Sequence, residues 1–309
     1  MRIVILRALK LGDFLTGVPA YRALRRAYPS AEIVLAAPRM LEPLRELAGG
    51  AIDRIVDAQP LAPLARELHG ADLGVNLHGR GPQSHRVLLG AGARALIAFR
   101  NDAIPESAGG AEYDPEEHEV ARWCRLLRHA GIAADERELD LAVPPVLVPS
   151  RIRGATLIHP GAASEARRWP AERWIEVARA EQRLGRTVIV TGGPGEVDLA
   201  RRVAGAAGVP TTHVYAGRTN LRELAALVAA AGRVVCGDTG VAHLATAYRT
   251  PSVVLFGPIP PAAWGPPPRP YHRVIWNGTT GDPHADRVDP GLLAIRPERV
   301  IAALDALGA

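Results

Sequence analysis

Short β-branched apolar runs alternate with helical segments along this chain, and the series runs through twice. In the first series Arg2–Leu6, Ile33–Ala37, Ile52–Val56 and Leu73–Leu77 read as strands. Phe14, Val18, Tyr21, Leu24 and Tyr28 recur at three- and four-residue spacing, which marks one helical face. Pro19 must sit early in that helix or bend it. Residues 143–149 (VPPVLVP) carry three prolines in seven positions, a stiff extended connection. The pattern then restarts with strand Ala155–His159, helix Ala171–Leu184 and strand Thr187–Thr191. Helices at about 196–206 and 221–231 lead to strand Arg233–Cys236, a helix from Gly240 and strand Ser252–Phe256. Residues 257–270 hold seven prolines and read as a loop, and a last helix, 297–307, follows Arg296-Pro297. Strands alternating with helices require parallel sheets covered on both faces, an α/β architecture of two doubly wound units. The expected domains are 1–148 and 149–309, and ligands belong beyond the carboxyl ends of their strands.

Composition excludes several function classes. The chain has 309 residues, 48% hydrophobic and 22% charged, enough for two ordinary globular cores. The net charge of +5 rests almost wholly on arginine, and Lys10 is the only lysine. Abundant Ala, Gly and Pro accompany this, so part of the arginine excess is codon usage, and the remainder suits anionic ligands. Aromatic residues make up 5%, and no run of five basic residues occurs, which argues against a nucleic-acid partner. Cys124 and Cys236 lie far apart, with neither metal spacing nor a disulfide framework, as expected in a reducing cytoplasm. The first residues, MRIVILRALKLGDF, are too short and too charged for a signal peptide. No apolar run reaches the roughly 18 residues of a membrane span. Asn277-Gly278-Thr279 matches a glycosylation sequon but reads as an Asn-Gly turn.

The motifs with chemistry fall at strand ends. In RVVCGDTGVAHLATAYRTPSVVLFGP, residues 233–258, Asp238-Thr239-Gly240 opens a helix. Alone this is a capped helix. Gly240 also admits a ligand to the backbone, His243 follows on the same face, and the helix N-terminus favours an anion. Phe256-Gly257-Pro258 ends the next strand beside it. The combination reads as a phosphate site. In TVIVTGGPGEVDLA, residues 187–200, Asp198 stands where a dinucleotide fingerprint needs its third glycine. Glu196 there either accepts two ribose hydroxyls or simply complements a helix N-terminus. In IHPGAASEARRWPAERW, residues 158–174, Arg167 and Arg168 suit bidentate phosphate contacts, although either alone reads as a solvated arginine. In the first unit Gly12 and Asp13 end the first strand segment. Asp13 is either a helix cap or a carboxylate able to take a proton from a hydroxyl. Asn76-Leu77-His78-Gly79-Arg80 ends another strand, and His78 alone reads as structural. No G-x-x-x-x-G-K loop, H-E-x-x-H, G-x-S-x-G, Cys/His metal spacing or D-x-D pair is present, so metal-independent transfer is expected, with no cofactor.

These motifs, in this order, resemble glycosyltransferase family nine, the ADP-heptose:lipopolysaccharide heptosyltransferases. The similar stretches are LGDFLTGVPAYRALRRAYP, LHGR, HPGAAS…RRWPAERW, VTGGPGE, GRTNLRELAALVAAA and GDTGVAHLATAYRTPSVVLFGP, which span about residues 2–258. The resemblance implies a GT-B fold, two Rossmann-like domains facing a central cleft, with the last helix returning to the first domain. It implies an inverting transfer of a sugar, a heptose from an ADP-linked nucleotide-sugar donor, to a hydroxyl. The acceptor would be a glycan, a lipopolysaccharide core or a small natural product. Asp13 would be the base, with Gly12, His78 and Arg80 on the acceptor side. Asp238, Thr239, Gly240 and His243 would hold the diphosphate, Glu196 the ribose, and Thr219 would lie against the base. Arg167 stands where heptosyltransferases carry a lysine, which keeps the charge and changes its geometry. A cytoplasmic protein, peripheral at most to an inner membrane, is implied. Two rivals on the same fold are a nucleotide-sugar epimerase and a non-catalytic nucleotide-sugar-binding protein. The resemblance leaves the oligomeric state open.

Overall fold

A computed structural model describes residues 1–307. The chain divides into two compact units, Met1–Ala142 and a second beginning at Val143, so the division falls where the proline-rich stretch starts. The first unit runs β1 (Arg2–Leu6), α1 (Leu11–Thr16), α2 (Val18–Ala27), β2 (Glu32–Ala37), α3 (Glu42–Arg45) and β3 (Arg54–Asp57). It continues through β4 (Leu73–Asn76), α4 (Gln83–Gly90), β5 (Leu96–Ile97) and α5 (Glu119–His129). The second runs β6 (Thr156–His159), α6 (Ala171–Arg183), β7 (Val188–Val190), α7 (Val197–Ala207), α8 (Leu221–Ala230) and β8 (Arg233–Gly237). It ends with α9 (Gly240–Ala247), β9 (Ser252–Leu255), α10 (Pro261–Trp264), β10 (His272–Ile275), α11 (Pro290–Leu293) and α12 (Pro297–Asp305).

Each unit holds one parallel sheet. The strand orders are β3-β2-β1-β4-β5 and β10-β9-β8-β6-β7. The order therefore reverses between β1 and β4 in the first sheet, and between β6 and β8 in the second. At such switch points adjacent loops leave in opposite directions and open a crevice at the carboxyl ends. The register fixes which residues meet there: Leu6 opposes Asn76, and His159 opposes Cys236.

Local sequence explains the elements that carry the sites. The helical face predicted from residue 14 onward is split at Gly17, and Pro19 lands in the first turn of α2, where its missing N–H is not needed. A side chain at Gly17 would collide with the Tyr21 hydroxyl, 2.4 Å from the added carbon, so only glycine lets α1 and α2 meet. The strand expected at Ile52–Val56 begins later, because Asp53 turns its carboxylate to the Ile33 N–H (2.6 Å). β5 and β10 were not anticipated. β5 is a two-residue edge strand, and β10 follows the proline-rich loop and exposes Arg273 and Val274. Gly278 has φ +78°, as the Asn-Gly turn requires.

The core of the second unit is built on two tryptophans. In α6 Trp174, Val177, Ala178 and Glu181 are buried at helical spacing. Trp174 stands edge-on to Trp169, with centroids 4.9 Å apart, and Trp169 donates its indole N–H to the Ile295 carbonyl (3.1 Å). The Trp169-Pro170 motif is therefore a packing element that ties the loop after β6 to the chain before α12. α12 itself buries Val300 and Leu304 in the same core and packs on α6. Truncating Trp174 to Ala is expected to cost about 3–5 kcal/mol. Urea unfolding followed by far-ultraviolet circular dichroism should show the loss as an earlier transition.

Candidate functional site

In the second unit the site grows from the carboxyl ends of β6, β7 and β8. Asp238 follows β8 and is 6% exposed. The loop after β6 brings Arg167 to it, with a guanidinium nitrogen 3.0 Å from Asp238 Oδ2 and a further bond to the Asp238 carbonyl. Arg168, expected beside it, instead braces its own loop, donating to the Ala162 carbonyl (3.1 Å) and pairing with Glu165. Thr239 occupies the cap position of α9 in extended conformation, yet its hydroxyl makes no capping bond. That hydroxyl is closed to solvent and its partner is the thiol of Cys236, while the Arg167 Nε is closed to solvent without a partner. Buried polar groups are normally satisfied, so the Arg167 Nε is a donor still to be used. Gly240 opens α9, and His243 sits one turn on, its ring against Trp264 of α10 at 5.9 Å. The end of a helix and an arginine thus converge where an anion is favoured.

Glu196 lies one strand over. Its Oε2 accepts the Gly193 N–H (2.6 Å) and stands 3.7 Å from His159 Nε2. His159, at the end of β6, is held by Thr191 (3.0 Å), and burial keeps its imidazole below the ordinary value, with Glu196 opposing. Gly161 has no room for a side chain, because Glu196 would lie 2.1 Å from it. Thr219 follows a segment stitched to β7 through Tyr215 (2.8 Å to the Val190 carbonyl) and Gly217 (3.0 Å to Gly192). Glu196 and Thr219 are therefore placed at the end of β7, and Arg167, Asp238, Thr239, Gly240 and His243 at the end of β8.

In the first unit Asp13 is the third residue of α1, not its cap. Its Oδ2 accepts the Lys10 N–H (3.2 Å). Burial pushes its carboxyl above the ordinary value, Arg7 opposes this, and Glu119 adds to it. A carboxyl raised in this way is a better proton acceptor than a solvated one. Gly12 precedes it in the first turn of α1, half-buried. His78 follows β4, half-buried, with its Nδ1 buried and unpartnered. Burial, and then Arg7, hold the imidazole below its usual range, so it is neutral. Arg80 is exposed, and its carbonyl accepts Asn101 (3.2 Å).

Arg7 and Glu119 escaped the sequence reading. Arg7 stands at the end of β1 and is 1% exposed. It donates to the Leu77 carbonyl beyond β4, to the Asp13 carbonyl (2.6 Å), to Thr16 (2.9 Å) and to Glu119 (2.9 Å). It thereby bridges the first sheet's switch point. The signal was present: a charge directly after the apolar run RIVIL cannot be buried without partners. Glu119, on α5, lies in a stretch with no recognisable motif.

Among the described residues no helix is long and apolar enough to cross a membrane, and no three His, Cys, Asp or Glu side chains are grouped to hold a metal ion. The two parallel sheets and their switch points are those of the GT-B fold. The chain belongs to glycosyltransferase family 9 (heptosyltransferase), whose profile matches residues 110–291, more than half of its length. It is 26% identical to lipopolysaccharide heptosyltransferase 2 of Escherichia coli K12, covering 99% of this chain and 98% of that one. The solved ADP-heptose lps heptosyltransferase II of E. coli superposes with TM-score 0.76 at 24% identity, over 99% and 98% of the two chains. E. coli heptosyltransferase WaaC with ADP gives 0.74 at 17%, over the whole of both.

The buried Thr239 hydroxyl, bonded to the Cys236 thiol, has a measurable consequence. Thr239→Val keeps the shape and removes only that weak bond to sulfur, so the stability of the free protein should change by no more than about 1 kcal/mol. Thermal unfolding without ligand checks this, and a marked loss would show that the hydroxyl is a structural cap.

Proposed function

We propose that this glycosyltransferase is inverting and metal-independent, and that it moves a heptose from an ADP-linked donor to an acceptor hydroxyl. The observation that carries this reading is the meeting of the Arg167 guanidinium, whose Nε has no partner, with the N-terminal end of α9. A diphosphate suits both. Its charge is met by Arg167 and the helix end, which provide the stabilisation a divalent cation supplies elsewhere. Glu196 keeps Oε1 available for ribose hydroxyls while Gly193 holds Oε2. Thr219 lies against the nucleotide base, and His243 contributes to the diphosphate site. The relatives named above suggest ADP and heptose.

Asp13 is the general base. It takes the proton of the acceptor hydroxyl as that oxygen attacks the anomeric carbon. The bond to the diphosphate oxygen breaks, and nucleoside diphosphate leaves with the electron pair. Gly12, His78 and Arg80 form the acceptor side. A glycan or lipopolysaccharide-core acceptor is the first expectation, with a small natural product as the other class. The setting is cytoplasmic.

A thermal-shift panel of ADP-, GDP-, UDP- and dTDP-sugars tests the donor, followed by diphosphate release with candidate acceptors. Preference for UDP-sugars would overturn the ADP-heptose reading, and donor conversion without any acceptor would indicate an epimerase. Thr239→Val and Arg167→Met should each weaken ADP binding by roughly 10-fold or more, as expected for losing a hydrogen bond to a charged group. Calorimetry reads this directly. Asp13→Asn should reduce transfer by about 10²–10⁴-fold while ADP binding stays nearly intact. Full activity in that variant would remove Asp13 from the mechanism.

A further inference from the structure

The Arg7 guanidinium poses a problem for the site it adjoins. A cation paired directly with a carboxylate occupies its lone pairs and makes it a poor proton acceptor. Arg7 is completely buried beside Asp13 and carries charge at every accessible pH. Yet its nearest nitrogen stays 3.8 Å from Asp13 Oδ1, beyond hydrogen-bond range. The same nitrogen is 2.9 Å from Glu119 Oε1 and 2.9 Å from Thr16 Oγ1. Its other donors go to the carbonyls of Leu77 and Asp13. All the bonds of the fork are thus spent on groups other than the Asp13 carboxylate.

Glu119 is built to hold that cation. It is 4% exposed on α5, and its Oε1 also accepts the Trp123 indole N–H (2.8 Å). Its Oε2 accepts Arg122. The Trp123 ring in turn lies under the Arg7 guanidinium, 4.9 Å from centre to charge. Burial would raise the Glu119 carboxyl, but Arg7, Trp123 and Arg122 outweigh it, so Glu119 stands below its ordinary value and is ionised. The groups that face this cluster are Arg7 just after β1, Tyr21 on α2, His78 after β4, Tyr113 before α5, and Glu119 and Arg122 on α5. Tyr21 and His78 are neutral, so beside burial, the largest influence, the charges that bear on Asp13 are Arg7 and, against it, Glu119.

We propose that Glu119 is a positioning residue: it claims the Arg7 guanidinium and so leaves the Asp13 carboxylate free to take a proton. This rests on Asp13 being the base. Removing the Glu119 charge leaves Arg7 facing Asp13 alone. A nearby uncompensated cation favours the ionised carboxylate, so the Asp13 titration must move to lower pH.

The test follows the Asp13 carboxyl by ¹³C NMR in protein labelled at aspartate, with Asp13→Asn assigning the resonance. In Glu119→Gln the midpoint should fall by about one unit or more, the size seen for an opposite charge at this range. In Glu119→Asp, whose carboxylate is set back from Arg7, it should fall less. An unmoved midpoint in folded Glu119→Gln overturns the proposal. If that variant does not fold, Glu119→Asp decides alone: a lowered midpoint supports the proposal, and a wild-type midpoint overturns it. With an acceptor from the panel above, the acidic limb of kcat should move down with the midpoint while ADP affinity stays unchanged. A loss of ADP affinity or of thermal stability with no movement of the limb would show a merely structural Glu119. Activity retained in Asp13→Asn would instead overturn the base assignment, whatever Glu119 does to the titration.

Discussion

A parallel strand cannot be joined to its neighbour by a tight turn. The chain must cross back along the sheet, as a helix or a long loop, before the next strand begins. Every strand of this protein runs parallel to its partners, so every crossover starts at the same edge of its sheet. The residues that follow β1 and β4, or β6, β7 and β8, are remote in sequence and neighbours in space for that reason alone. The reversal of strand order then parts the loops at one position in each sheet. Both candidate sites lie at these positions.

Each switch point also holds an arginine and a carboxylate, the first arginine fully buried and the second half-buried, but the two pairs are arranged differently. At the end of β8, Arg167 bonds Asp238 directly and leaves its Nε unsatisfied. At the end of β1, Arg7 bonds Glu119 and several carbonyls and keeps only a long contact with Asp13. A buried charge pair is a weak source of stability, but breaking one by removing a partner costs about 3–5 kcal/mol. Such pairs resist loss once present. The first arrangement leaves a donor for an incoming anion, and the second leaves a carboxylate for an incoming proton. These are the two needs of a transfer that expels a diphosphate and deprotonates a hydroxyl.

Much of the architecture was legible. Eight strands were placed by their apolar runs; six of them are central, and central strands of parallel sheets are buried on both faces and read as continuous hydrophobic stretches. β5 and β10 escaped because edge strands need not be apolar on both faces, and one is only two residues long. The N-terminal end of α9 was legible from Asp238, Thr239 and Gly240, whose geometry is local. Arg167 and Arg168 were indistinguishable as neighbours in sequence, and only the turn of the loop sends one to Asp238 and the other to Ala162. Trp169 follows those arginines directly, yet it is core.

Taken alone, the sequence determined the α/β class, the two-unit organisation, the family resemblance and the anion-favouring helix end. These depend on periodicity, on proline and glycine stereochemistry and on short motifs, all of which act over a few residues. The tertiary structure decided the partnerships: Arg7 with Glu119 across 112 positions, Arg167 with Asp238 across 71, and α12 with the second unit's core. A charge becomes a poised base or an anion clamp only through what desolvates it and what competes for it. Those neighbours are brought together by the sheet, not by proximity along the chain.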